Sequence, residues 1–252
     1  MPGERDKWVR MRFGDIDPAV LGRVEDLIEI TWPDLEVHYP VRGRTLAYRR
    51  IRDIGSSSER VAEIFRNGAY EMINNSEIDW HQDPQAMVEK VKTGNWNFYG
   101  CYLGETLIAA ESLYVIRGDR TVEWVWGCVD PQYRGRGVWQ NIGLYTDKIV
   151  ELSGAQVGSV WVVTTHRYSQ MSVERAGYVP MGCFIGKRLY GGADNRYYRH
   201  TLIHYAKLYG AAHRHLQNWD GMHLTKRAAG LVARVKADWL EAGNGRSSFD
   251  SP

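Results

Sequence analysis

The segment Val129-Asp130-Pro131-Gln132-Tyr133-Arg134-Gly135-Arg136-Gly137-Val138-Trp139 constrains this chain more than any other stretch. A β-rich run ends at a proline. A loop with two glycines and two arginines follows. An apolar stripe at helical spacing then begins. Glycines remove Cβ atoms, so backbone N–H groups can approach an anion. A helix start adds unsatisfied N–H groups and the positive end of its dipole. Arg134 and Arg136 add charge and donors. Together these features read as a diphosphate cradle, against the plainer reading of a surface loop that merely has glycines. The segment lacks the Gly-Lys-Ser/Thr ending of a P-loop and does not match Gly-x-Gly-x-x-Gly after an early parallel strand.

The surrounding pattern supplies the context. Thr121–Val129 reads as a strand, the third of a meander with Trp96–Leu103 and Thr106–Ile116, whose first turn is Gly104-Glu105. Val138, Ile142, Tyr145, Ile149 and Leu152 predict a helix from about 137 to 152. A Val-rich strand is predicted over 157–165, a short helix over 168–176, and strands over 178–185 and 197–208. Upstream, 46–51 reads as a strand. A capping box of Ser56 and Glu59 opens one helix, and Asp83-Pro84 opens another. The order from Leu46 predicts an α/β fold: a mixed, mostly antiparallel central sheet with helices on both faces.

Three parts are expected. Residues 1–45 form a helical arm, in which Trp8–Phe13 is a short strand, Asp17-Pro18 starts a helix and 40–44 is a connector. Residues 46–208 form the main domain. Residues 209–252 carry an amphipathic helix through Leu224, Leu231, Val235 and Trp239, then a frayed end. With 252 residues, 44% hydrophobic and 25% charged, the chain is long enough for one substantial core. A net charge of +2 gives no general case for nucleic acid or membrane as partner, so an anion site must be local. Cys101, Cys128 and Cys183 are odd in number and widely spaced, which points to a reducing compartment and no zinc site. Met1–Arg10 has no apolar run behind its charges, so no signal peptide is read and a cytoplasmic chain is expected. His200 and His204 share one strand face, but no third ligand is identified, so hydrogen bonding is favoured over a metal.

These residues resemble the GNAT superfamily of N-acetyltransferases. The likeness covers about residues 46–208 in element order and is sharp from 121 to 178. The family's loop pattern is Gln/Arg-x-x-Gly-x-Gly/Ala, whose fixed positions hold Arg134, Gly137 and Trp139 here. Trp139 departs from the small residue, which implies a shifted cofactor or a reshaped helix start. The resemblance implies acetyl-CoA as co-substrate and direct transfer to a primary amine; a small-molecule acceptor is expected from the aromatic residues and the near-neutral charge, and no metal is expected. The resemblance places the pyrophosphate on Arg134, Gly135, Arg136, Gly137, Val138 and Trp139, and the pantetheine arm on the backbone of Gly127, Cys128 and Val129. A longer acyl-CoA or an acyl-carrier donor, and a non-catalytic acyl-CoA-binding module, are the alternatives. A homodimer is left open.

Glu123 lies where some family members carry a catalytic Glu. Its neighbours Val122, Trp124, Val125 and Trp126 are apolar, so burial would raise its pKa. Glu111, on the neighbouring strand, is the second candidate. Gly177-Tyr178 matches the family's Gly-Phe pair. Counting back puts Val173 at the usual Tyr and His166 at an Asn that helps to hold the cofactor. The usual acid is therefore absent, leaving Tyr168, Ser172 and His166 as substitutes, or a thiolate that leaves unaided. Cys128 as an acyl-enzyme nucleophile is weighed against the commoner buried, inert cysteine. Trp80, Trp96, Trp124 and Trp126 are expected to line an acceptor pocket.

Overall fold

The computed structural model describes residues 28–68, 79–191, 196–215, 222 and 224–241. The expected strand at 8–13, the helix from Asp17 and the frayed end from Gly243 lie outside the described residues.

Among the described residues eight strands form one sheet: β1 (Glu36–Val41), β2 (Arg44–Arg50), β3 (Trp96–Leu103), β4 (Thr106–Ile116), β5 (Thr121–Val129), β6 (Val157–Val163), β7 (Val179–Gly191) and β8 (Tyr197–Leu208). Their spatial order is β1-β2-β3-β4-β5-β6-β8-β7. Among these strands β5 and β6 pair in parallel, and the other neighbours pair antiparallel. The helices are α1 (Ile54–Gly68), α2 (Pro84–Lys92), α3 (Val138–Leu152), α4 (Tyr168–Arg175) and α5 (Lys226–Glu241). The parallel pair requires a crossover, which α3 provides.

Two apolar layers cover the sheet. On one face Tyr48, Tyr99, Leu113 and Trp124 pack against Ile142, Tyr145 and Ile149 of α3 and Val173 of α4. On the other, Phe98, Trp126 and Cys128 pack against Val61, Ile64 and Phe65 of α1 and Met87 of α2. The expected mixed α/β sheet with helices on both faces is therefore the observed one.

Local expectations divide. Asp83 caps α2, accepting from the N–H groups of Gln85 (2.9 Å) and Ala86 (3.2 Å). The capping box of Ser56 and Glu59 does not form. α1 begins at Ile54, and the Ser56 N–H is taken by Asp53 Oδ1 (3.3 Å). The expected connector at 40–44 is a hairpin. Arg42 (φ 49°) and Gly43 (φ 75°) make its two-residue turn, the positive-φ geometry that matches strand twist. Pro40 argues against a central strand, but β1 is an edge, where a missing N–H costs nothing. β1 lies ahead of the boundary drawn at residue 46 and belongs to the same sheet. α5 packs against β7 through its buried Val235 and Trp239.

Polar bonds fix α3. Its first carbonyl, on Val138, accepts from Tyr48 Oη (2.7 Å), and Tyr145 Oη donates to the Leu35 carbonyl (2.9 Å). Near its end the buried Asp147 accepts from Lys207 Nζ (2.7 and 2.8 Å) and from Tyr209 Oη (2.5 Å). Removing the cation leaves that carboxylate buried without its counter-charge. Lys207→Met is expected to lower stability by about 3–5 kcal/mol, read as a lower denaturant midpoint at unchanged m-value.

Candidate active site

β5 ends at Asp130, which is buried. Its carboxylate accepts from the Gln132 N–H (3.0 Å) and pairs with Arg60 of α1 (2.5 Å). A single 3-10 turn, Pro131–Tyr133, follows. Gly135 (φ 71°) and Gly137 (φ 80°) then adopt the left-handed conformation that admits no Cβ cheaply. Gly137 is the N-cap of α3. No side chain among the described residues caps this helix, and no acidic residue sits in its first turn. Its first N–H groups are left to an outside acceptor, as a cradle for a diphosphate requires.

The two arginines differ from expectation. The Arg134 Nε donates to the Val129 carbonyl (3.3 Å), and its Nη2 donates to the Gly68 carbonyl. It ties the loop to the end of α1 and is not aimed outward as a phosphate ligand. Arg136 lies over the Tyr133 ring, 5.4 Å from its centroid. It joins Arg42 and Arg44 around a cavity of about 200 Å³ floored by Leu46, Leu103 and Ile108.

Beneath the loop the sheet opens. β5 pairs with β6 only from Thr121–Val157 to Trp124–Val160. Beyond that point β6 follows β8, while among the described residues Trp126–Val129 keep partners on β4 alone. The β4–β5 ladder slips at the same place: Ser112 faces Trp126 and Leu113 faces Trp124, leaving Val125 unopposed. A β-bulge thus marks the apex of a wedge. Gly127, Cys128 and Val129 lie along its open edge, where an extended ligand with amides can pair as an added strand. The residues present fit an acyl-CoA: uncapped N–H groups at the mouth, an unpaired strand edge below.

The bulge also sorts the side chains. Trp124 belongs to the α3 layer and Trp126 to the α1 layer, although they are two apart in sequence. The four tryptophans therefore do not line one pocket. Trp80, Trp96 and Trp126 gather around His81 on the α1 side, with Trp80 stacked on His81 at 3.7 Å and Trp126 at 5.1 Å from it. Trp124 packs instead against Trp139, 5.5 Å away across the wedge. Trp139 lies on Gly127, where an added Cβ would meet the indole at 2.9 Å.

Glu111 sits below that contact on the α3 side. It is 1% exposed, and burial raises its pKa to about 8. It lies 2.7 Å from Thr146 Oγ1, which itself lies 2.8 Å from the Ile142 carbonyl. A protonated Glu111 satisfies the chain, donating to Thr146 while Thr146 donates onward. Glu123 is half-buried on the opposite face, beside Tyr114 of β4 and Ser159 of β6, where β5 and β6 are still paired. The structure thus separates the two candidate carboxylates by the thickness of the sheet.

The acid candidates scatter. Ser172 is buried between helices and donates to the Trp139 carbonyl (3.2 Å), so it joins α4 to α3. Tyr168 is 69% exposed at the start of α4, with its ring centroid 5.8 Å from that of His166. Burial pushes the Cys128 thiol up to about 12, against a nucleophilic thiolate.

Two polar pairs were not singled out in the sequence. His81 Nε2 lies 2.7 Å from Ser112 Oγ at the bulge. His204 Nε2 lies 2.8 Å from Ser159 Oγ, one strand over from Glu123. The His204 ring stacks on Trp161 at 4.4 Å, and Lys187 Nζ lies 3.4 Å from the centroid of that indole. Burial first, then Lys187, lowers the His204 pKa. Ser159 was the available signal: a lone hydroxyl in an apolar strand needs a partner. His81 had no local signal.

A strand meander, a wedge after the bulge, a glycine loop opening α3 and a last strand inserted beside β6 together define the GNAT acyltransferase fold. Solved structures agree. A ribosomal-protein-S5-alanine acetyltransferase from Vibrio fischeri superposes with a TM-score of 0.54 at 13% identity, over 69% of this chain and 97% of that one. RimJ from Mycobacterium smegmatis, solved in complex with CoA-disulfide, gives 0.54 at 12%, over 74% and 95%. A variant of spermidine N-acetyltransferase SpeG from Vibrio cholerae gives 0.55 at 12%, over 66% and 95%. No protein-family model matches the sequence, and neither does any curated protein. The resemblance read from the loop therefore holds for the fold.

Glu111 makes stability depend on pH. The folded chain keeps its proton to about pH 8, whereas an unfolded glutamate releases it near 4.5. Between those values the folded state binds the extra proton, so stability is highest at the acid end and falls as pH rises. Glu111→Gln should remove this component, so that its Tm gains on the wild type by up to about 3–5 °C per pH unit across the window in thermal melts.

Proposed function

We propose that this chain is an acyl-CoA-dependent N-acyltransferase that moves an acetyl group directly to the primary amine of a small molecule. The observation that carries the proposal is the wedge between β5 and β6, capped by the uncapped N-terminus of α3. The diphosphate would bind the N–H groups from Gly135 to Trp139. The pantetheine arm would pair with the open edge of β5 and bring the thioester to the bulge. A backbone N–H there would polarise the carbonyl. The amine attacks the carbonyl carbon, the C–S bond breaks, and CoA leaves as the thiol.

The acceptor would approach from the α1 face. Glu123 is on that side, with Ser159, His204 and Trp161 beside it. Glu123 is our base for the amine, and His204, held towards its neutral form, is the competing group. Half-buried rings of Trp80, Trp96 and Trp161 suit an amine with an apolar body. The three unpaired cysteines favour the cytoplasm as compartment. No helix among the described residues is long and apolar enough to cross a membrane.

Calorimetry with CoA and thiol release from acetyl-CoA over an amine panel test the reading. Turnover is expected, and absence of CoA binding would sink it; binding without turnover would leave only a CoA-binding module. Glu123→Gln should lower kcat by about 10²-fold or more. Retained activity there, with loss in His204→Asn, would move the base to His204. Gln140→Glu puts an anion in the first turn of α3. It should raise or hold Tm while weakening CoA binding about 2–5-fold, less at high salt.

A further inference from the structure

On the side of the wedge facing α3, Trp139 lies over the open edge of β5. Trp139 is the second residue of α3, and its indole reaches down to Gly127 on the open edge of β5. The ring also lies against Trp124, the last residue of β5 that pairs with β6. It therefore spans from the unpaired edge to the apex. Its position is fixed from behind, because Ser172 of α4 holds the Trp139 carbonyl. The indole Nε1 is buried and has no hydrogen-bond partner among the described residues. Buried donors are rarely left unanswered, and an orphan at a site calls for a ligand or a water. The opposite wall needs a glycine: at Gly127 any side chain would collide with the indole before a ligand arrived.

We propose that Trp139 sets the donor specificity of this wedge, restricting the thioester to a short acyl group and giving its indole N–H to a carbonyl oxygen of the bound arm. This rests on the acyl-CoA reading above. The ring fills the space beside the apex into which a longer acyl chain would extend. The N–H acquires an acceptor only when a ligand carrying carbonyls enters. One side chain thus selects by volume and positions by hydrogen bond, and substitutions can separate the two roles.

The test compares acetyl-, butyryl- and hexanoyl-CoA with the wild type, Trp139→Phe and Trp139→Ala, each first checked for folding by circular dichroism and Tm. The wild type should favour acetyl over hexanoyl in kcat/KM. Trp139→Ala should shift that ratio at least about 10-fold towards hexanoyl, since opening a pocket by several methylenes is worth that much. Trp139→Phe keeps a ring without the N–H. It should retain the acyl preference while raising KM for acetyl-CoA about 5-fold, more than it lowers kcat. If Trp139→Ala does not fold, Trp139→Leu carries the same test. An unchanged acyl ratio in the enlarged variant, or an unchanged KM in Trp139→Phe, overturns the assignment while the acyl-CoA reading stands. Failure of the wild type to bind CoA overturns both.

Discussion

Among the described residues β5 has no partner on its β6 side beyond Trp124, and the sheet and α3 are arranged around that gap. An unpaired strand edge inside a sheet is costly unless something covers it. Here β6 cannot return, because it is held along its length by β8. The chain instead leaves β5 through a buried aspartate, turns through two left-handed glycines and sets the start of α3 over the opening. The bulge at Val125 belongs to the same constraint. It adds local twist where the strands part and leaves one residue out of the ladder.

Much of this was legible. β3, β4, β5 and β8 carry period-two or apolar patterning between strong turns, and their limits follow from it. The loop and α3 were legible because glycine, proline and a helical stripe occur together. The failures share a cause. A bulge changes which face a side chain takes without leaving a mark in composition, so Trp124 and Trp126 looked like neighbours and are not. β1 was hidden by Pro40, whose exclusion from strands holds for central positions and not for an edge. The His204–Ser159 pair joins residues 45 apart in sequence, and no local pattern reports such a contact.

Three buried carboxylates around the wedge show how the fold balances charge. Asp130 takes Arg60, and Asp147 takes Lys207. Each pair ties a helix or loop to the sheet, at the two ends of the α3 crossover. Glu111 lies between them, directly under the wedge. Its neighbours are Thr146 and apolar side chains, and burial holds it towards the neutral form. The acidic group nearest the apex on the α3 side is thus uncharged over much of the physiological range. That removes a repulsive charge from beneath the proposed anion site.

The loop is better explained by backbone than by arginine. Arg134 spends two donors on the carbonyls of Val129 and Gly68, and Arg136 leans on Tyr133. What remains for a phosphate is the row of N–H groups at the α3 start, whose direction is set by Gly135 and Gly137. This explains how a bulky residue is accommodated at position 139. The N–H donors do not depend on side-chain size, so a tryptophan there forfeits none of them. It spends space instead, and only inside the wedge. A small residue at that position would leave the cradle equally able to hold a diphosphate and leave the β5 edge open to whatever the arm carries. On the proposed acyl-CoA reading, with Trp139 seated on Gly127, anchoring of the anion and choice of the acyl group would be properties of different atoms: the first of the main chain, the second of a single indole.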